Sequence, residues 1–321
     1  MRRVALVGGV VVLAGCADEQ STLRPESDAA RSVATMWWVM LVASAIVVGV
    51  VTLLVLLTLL KRRGRRDRVD RTDSPGATTA VLVSGAIVPA VVLVALFVYV
   101  LASLGATSQP SGGTAFPIEV VGKQWFWAVR YPEQHIATAN EIHVPVGVPV
   151  EVVAVTDDVI HSFWVPRLNR KIDMIPGRRN RLRIEADRAG VYRGQCAEFC
   201  GLQHANMAFY VIAQSRRDFE RWVEREQQTP QRGAPGERVF VDTGCGGCHT
   251  IRGVSNGTIG PDLTHVGSRT TLAAGTIPNR KGYLGGWILD PQHVKPGNKM
   301  PGLPLSGRDL QELLDYLESL R

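Results

Sequence analysis

The sequence predicts a multi-domain membrane protein: a two-helix transmembrane hairpin, then a β-sandwich, then a small all-α domain. Three observations carry this reading. Two stretches near the N-terminus, Met36 to Leu60 and Thr79 to Leu104, hold no charged residue, and each exceeds the roughly 20 residues that a spanning helix needs. Short runs of alternating apolar residues follow between positions 116 and 213, with Gly, Pro and Asn between them, the pattern of a sandwich rather than of helices. The last third carries Cys245-Gly246-Gly247-Cys248-His249 and closes on a leucine stripe at helical spacing.

Residues 1–15 read as a secretory leader. Arg2 and Arg3 precede an apolar run from Val4 to Val12, and small residues lead to Cys16. Leu13-Ala14-Gly15-Cys16 resembles the bacterial lipoprotein box, so Cys16 is expected to be lipidated and to become the mature N-terminus. The two spans occupy 36–104. Between them lies Lys61-Arg62-Arg63-Gly64-Arg65-Arg66-Asp67-Arg68. A basic block in a short loop between spans is a topology signal that places the loop in the cytoplasm and everything after Leu104 outside. Much of the net charge of +7 sits there, so the basic balance does not point to a nucleic-acid partner. Neither span contains a His, so this chain cannot itself hold an intramembrane haem.

A polar linker, Thr107 to Gly113, leads to the sandwich, expected over 114–214. Strands are predicted at Phe116 to Val121, Gln124 to Tyr131, Glu141 to Val144, Val150 to Thr156, Arg181 to Ala186 and Ala208 to Ala213. Within Gly122-Lys123-Gln124-Trp125-Phe126-Trp127, alternation sends Trp125 and Trp127 to one face.

Between the last two predicted strands runs Gln195-Cys196-Ala197-Glu198-Phe199-Cys200-Gly201-Leu202-Gln203-His204-Ala205-Asn206-Met207. Thiolate, imidazole and thioether together mark electron-transfer copper. A single copper needs one Cys, one loop His and one more His from an earlier strand, for which His161 is the candidate. The second thiol suggests two thiolates bridging two coppers, each then keeping one His and one weak ligand. The Met207 sulfur and the Glu198 carbonyl would supply the weak ligands. The same residues would also serve a Cys2His2 zinc site or a Cys196–Cys200 disulfide; neither uses Met207 or Glu198.

Ser215-Arg216-Arg217-Asp218 opens a helix with a capping pattern, and Phe219, Trp222 and Val223 form its apolar stripe. Helix and linker cover 215–232. The final domain, 233–321, carries the c-type haem attachment pattern: Cys245 and Cys248 would bond the porphyrin and His249 would ligate the iron. Met300, between Lys299 and Pro301, is the candidate for the opposite axial position. Leu310, Leu313, Leu314, Leu317 and Leu320 give the last helix one apolar face. His265 and His293 read as ordinary polar residues.

The cysteine loop, the His161 segment and Ile172-Asp173-Met174-Ile175-Pro176-Gly177-Arg178 together resemble subunit II of the haem–copper cytochrome c oxidases, and the C-terminal segment, with Gly260-Pro261-Asp262-Leu263, resembles a class I cytochrome c. That resemblance implies a cupredoxin-like Greek-key sandwich holding dinuclear copper (CuA) on His161, Cys196, the Glu198 carbonyl, Cys200, His204 and Met207. It implies Trp125 as the residue of electron entry and a magnesium on the Glu198 carboxylate at the boundary with subunit I. It implies a bacterial plasma-membrane complex in which electrons pass from an external donor to haem c, then copper, then the haem–copper centres of subunit I, where oxygen is reduced. Expected partners are subunits I and III, membrane lipid, and a quinol–cytochrome c reductase or cytochrome c as donor. Two departures stand out. Phe126 replaces the more usual Tyr, and the second span lacks the acid near its start that feeds a proton channel in many members, Asp73 being the nearest. A nitric oxide reductase subunit, or a membrane-anchored electron carrier without a catalytic partner, would carry the same modules.

Overall fold

The computed structural model describes residues 20–62, 75–108 and 116–321. The expected leader, Cys16, most of the basic loop and residues 114–115 lie outside them. Helix α1 (Asp28–Arg62) is one rod. A second rod is built of α2 (Pro75–Leu82), a π-helical stretch (Val83–Ile87) and α3 (Val88–Ser108). Both are long and apolar enough to cross a membrane, over Asp28–Lys61 and Pro75–Ser103. Their large apolar side chains stand exposed along most of their length, which suits lipid and protein neighbours rather than water.

The sandwich has two five-stranded sheets. The first contains β1 (Pro117–Lys123), β2 (Phe126–Tyr131), β3 (Ile136–Ala139), β5 (Val150–Thr156) and β8 (Asn180–Ile184), in the order β3-β2-β1-β5-β8. The second contains β4 (Glu141–Pro145), β6 (His161–Trp164), β7 (Ile172–Met174), β9 (Gly190–Cys196) and β10 (Ala208–Gln214), in the order β4-β10-β9-β6-β7. Pairings β1–β5 and β4–β10 are parallel and the rest antiparallel. Both sheets send apolar residues inward. Trp127, Tyr131, Phe163 and Phe209 fill the space between, with the Trp127 ring edge-on to Phe163. The chain before α1 folds back on this body: Glu26 N–H donates to Arg167 O at 2.9 Å, and Ser27 Oγ to Leu168 O at 2.5 Å.

Helix α4 (Arg216–Gln227) begins as its sequence predicts, the Ser215 hydroxyl accepting from Asp218 N at 3.2 Å. Its buried face lays Phe219 on Phe116 and Trp222 on His143. At its far end Arg252, from the C-terminal domain, donates to the carbonyls of Glu226, Gln227 and Gln228 at 3.1, 2.8 and 3.1 Å. These are carbonyls that a helix end leaves without partners, so the next domain supplies the cap.

That domain consists of α5 (Pro235–Asp242), α6 (Lys281–Leu289), α7 (Pro291–Val294) and α8 (Gly307–Ser319), with short turns and two-residue strand pairs between them. The stripe predicted for α8 is its core: Leu313, Leu314 and Leu317 are buried with Phe240, Ile288 and Tyr316.

Candidate functional site

Register places the first cluster. In the second sheet β6 lies beside β9, with Phe163 paired to Cys196, so His161 stands two residues along β6 from the end of β9. From Cys196 the chain leaves the sheet, turns through Cys200 and the short 3-10 helix His204–Asn206, and re-enters it at Ala208. The loop thereby folds its donors back over His161. Cys196 Sγ lies 3.8 Å from Cys200 Sγ, 3.8 Å from His161 Nδ1 and 3.1 Å from the Glu198 carbonyl oxygen. Cys200 Sγ lies 3.6 Å from His204 Nδ1 and 3.8 Å from Met207 Sδ. All six predicted donors are together, and His161, Cys196 and Cys200 are buried.

The distances decide between the sequence readings. A disulfide needs sulfurs about 2.05 Å apart, and here both thiols are free. Two thiolates on one tetrahedral zinc at about 2.3 Å would also sit near 3.8 Å apart, so the sulfur separation alone does not exclude zinc. The donor set is what favours copper. Six donors converge where zinc uses four, and two of the six are a thioether and a carbonyl, weak ligands suited to copper. Two shared thiolates with one His and one weak donor per metal is the set that a dinuclear copper centre requires.

The surroundings hold this set in place. His161 Nε2 bonds Asp158 Oδ1 at 2.8 Å, which turns Nδ1 toward Cys196. A carboxylate behind a ligating imidazole fixes its orientation and tautomer. Burial alone would raise the Asp158 carboxyl, but bonds from His161, Gln124 N–H and Val159 N–H hold it down to about 2. Burial likewise opposes charge on His161, yet Asp158 and Cys196 together raise its pKa. The two thiols share their protons unequally. Their mutual hydrogen bond lowers Cys196 and raises Cys200, so one thiol ionises far more readily than the other. Gly122 matters for space: a Cβ there would lie 2.9 Å from His161 Cδ2. The Glu198 carboxylate meets Lys171 at 3.4 Å.

The second cluster lies in the C-terminal domain. Cys245, Cys248, His249 and Met300 line one cavity, walled by Leu263, Leu284, Trp287 and Ile288, with an empty volume of about 1350 Å³ including its open mouth. His249 Nδ1 donates to Pro261 O at 2.8 Å, leaving Nε2 as the nitrogen for iron. Burial lowers the His249 pKa, which keeps the imidazole neutral. Gly260 lies against the ring, where a Cβ would be 2.5 Å from His249 Cε1. Two thiols, a neutral imidazole and a thioether on an apolar cavity fit a covalently attached haem.

The two clusters meet. Gln124, Trp125, Phe126 and Asn140 of the sandwich also line the haem-type cavity. Trp125 Nε1 and Gln124 Nε2 donate to Cys200 O at 3.0 and 2.8 Å. Trp125 sits in the turn before β2 rather than on the strand and is half-buried against the core in which Trp127 is fully buried. Sequence reasoning did not single out Asp158, Gln124 or Lys295. Lys295 Nζ donates to Trp125 O, Asn206 O and Ala273 O at 2.8, 2.7 and 3.0 Å. Asp158 was legible as an acid three residues before His161; the others act over long sequence separations and leave no local signal. His293 is exposed, as expected, whereas His265 is buried with Nε2 3.1 Å from Glu226 O and serves the junction between the domains.

Comparison with known proteins supplies the family. The family model described as cytochrome C oxidase subunit II, periplasmic domain, matches residues 133–214, and the cytochrome c model matches residues 233–321. Cytochrome c oxidase subunit 2 of Alkalihalophilus pseudofirmus is 37% identical over 254 residues, covering 76% of this chain and 74% of that one. The subunit of the same name from Bacillus sp. strain PS3 is 32% identical over 64% of this chain and 62% of its own length. Among solved structures, the periplasmic domain of subunit II of cytochrome oxidase (CoxB) of Bradyrhizobium japonicum is 32% identical, covering 37% of this chain and 97% of that one, with a TM-score of 0.36. A subunit II domain implies CuA, a cytochrome c domain implies haem, and the two apolar helices make this a membrane-anchored protein with an extracytoplasmic domain. The chain belongs to the cytochrome c oxidase subunit II family and carries a cytochrome c domain on the same polypeptide.

Proposed function

We propose that this chain is the electron-entry subunit of a bacterial respiratory oxidase, taking electrons from an external donor through a covalent haem to dinuclear copper and on to subunit I, where oxygen is reduced to water. In this reading the sandwich comprises 114–214 and the cytochrome domain 233–321. Haem and copper, when bound, supply one-electron redox states that no side chain here offers. The chain's own residues hold and orient them. Cys245 and Cys248 would bond the haem, with His249 and Met300 as the axial pair. Cys196 and Cys200 would bridge the coppers, with His161, His204, Met207 and the Glu198 carbonyl completing the set.

The observation that carries the reading is the position of Trp125. The residue lines the cavity of His249 and Met300 while its indole N–H is bonded to the carbonyl of Cys200. One residue thus borders both pockets, the place this reading gives to electron entry. Subunit I is the partner that a subunit II implies; subunit III, a cytochrome c or quinol–cytochrome c reductase donor, and a magnesium held by Glu198 at the subunit boundary complete the proposal. Optical and electron-paramagnetic-resonance spectra of the purified complex test the cofactors, and rapid mixing with a reduced donor tests the order. Haem c and mixed-valence copper are expected, with haem reduced before copper. Copper reduced first, or zinc in place of copper, would overturn the proposal.

A further inference from the structure

We infer that Lys295 is a positioning residue that clamps the cytochrome domain onto the copper loop and so fixes the two redox pockets relative to each other. The side chain is 2% exposed. Burial draws its pKa down to about 7, but Nζ meets three carbonyl oxygens at 2.7 to 3.0 Å, and only the ammonium has three protons to donate. Two of these belong to the sandwich, Trp125 O and Asn206 O, and the third, Ala273 O, to the cytochrome domain that also carries the lysine. Asn206 immediately precedes Met207, the weak copper donor. Trp125 is the residue that borders both pockets.

The backbone of the same residue runs into the opposite site. Lys295 O accepts from Asn298 Nδ2 at 2.7 Å, and Asn298 Oδ1 accepts from Met300 N–H at 2.8 Å. Beside it, Gln203 of the copper loop donates to Pro296 O at 2.6 Å. A continuous set of hydrogen bonds therefore links Met207's neighbour to Met300. The arrangement is close to all-or-none, because a buried ammonium deprived of some of its acceptors is expensive to keep. The Glu141–Thr270 pair, at 2.5 to 2.7 Å, is a second attachment between the domains but touches neither pocket. The clamp stands on these contacts alone; only the electron-transfer part of its test rests on the function proposed above.

The test uses the full-length chain in its purified membrane complex. In Lys295→Met, haem and copper contents should match the parent, as should the rate at which external reductant reduces the haem. Haem-to-copper transfer should slow severalfold, because electron tunnelling falls off exponentially as the two pockets move apart. An unchanged transfer rate at full metal content overturns the clamp. Absence of haem or copper from the parent complex would instead sink the function proposed above. A second measurement needs neither metal nor variant and decides the matter should Lys295→Met fail to accumulate. In a brief amine-acylation footprint of the parent complex, Lys295 should be modified at least roughly tenfold more slowly than exposed Lys299, since it reacts only when the domains part. Labelling of Lys295 at the Lys299 rate overturns the inference.

Discussion

Replacing Glu226 by Gln should stabilise the protein, by an amount that grows with pH. Glu226 lies in the last turn of α4, 5% exposed, and its Oε2 finds no hydrogen-bond partner among the described residues. Burial raises its carboxyl from 4.5 to about 7, while Arg269, His143 and Arg225 pull downward and Asp262 adds to the rise. Between these values the native state keeps a proton that the unfolded chain has lost, so stability falls as pH rises through this window and the whole cost stands above it. A shift from 4.5 to about 7 corresponds to at most about 3 kcal/mol. Gln keeps the shape and removes the charge, but its amide must still be buried, so a gain of about 1–2 kcal/mol at pH 8 is expected. For a body of this size that is roughly 5 °C in Tm. Thermal unfolding of the full-length protein in detergent, followed by tryptophan fluorescence, should show that rise at pH 8 and almost none at pH 4.5. An equal gain at both pH values would refute the argument from a buried charge. A lower Tm at pH 8 would mean that Arg269 holds the anion firmly enough to make it stabilising.

Three further predictions concern the pockets. Asp158→Asn removes the anion that orients His161 and should weaken copper binding by about 10- to 100-fold, measured by competition with a chelator; unchanged affinity would mean that His161 is oriented by packing alone. Cys200→Ser leaves one thiolate and should lower copper from two per chain to about one or none, read by metal analysis, with two retained coppers as the refuting result. Gly260→Ala puts a methyl 2.5 Å from His249 Cε1, where carbon atoms prefer about 3.5 Å. The imidazole must move by about 1 Å, so the haem should remain attached through Cys245 and Cys248 while its axial-ligand spectrum changes; a parental spectrum would show that Gly260 yields instead.

What could be read from the sequence follows from how far each signal reaches. The proposed copper donors could be read because five of them crowd into one loop, and His161 because an imidazole on an earlier strand was the missing partner. Strands β1, β2, β4, β5, β8 and β10 showed alternation long enough to register. Strands β6 and β7, of four and three residues, are too short for a period to appear. In β9, Gly194 reads as a break, whereas the structure pairs it with Phe209 in mid-strand. Trp125, expected inside the strand Gln124 to Tyr131, lies in the turn just before β2, where Gln124 N–H is held to Asp158 at 2.7 Å. Lys295 was invisible for a different reason. A lysine in a polar loop looks like any solvated charge, and only the third dimension brings three carbonyls from positions 125, 206 and 273 to its nitrogen.

The capping of α4 by Arg252 bears on how such a polypeptide can be re-engineered. A foreign cytochrome spliced in after position 232 would bring haem and tether, yet without a guanidinium at the matching place the helix would end on bare carbonyls. Swapping donors between oxidases therefore means transplanting this arginine along with the porphyrin-bearing unit, and grafts designed as beads on a string should seat poorly.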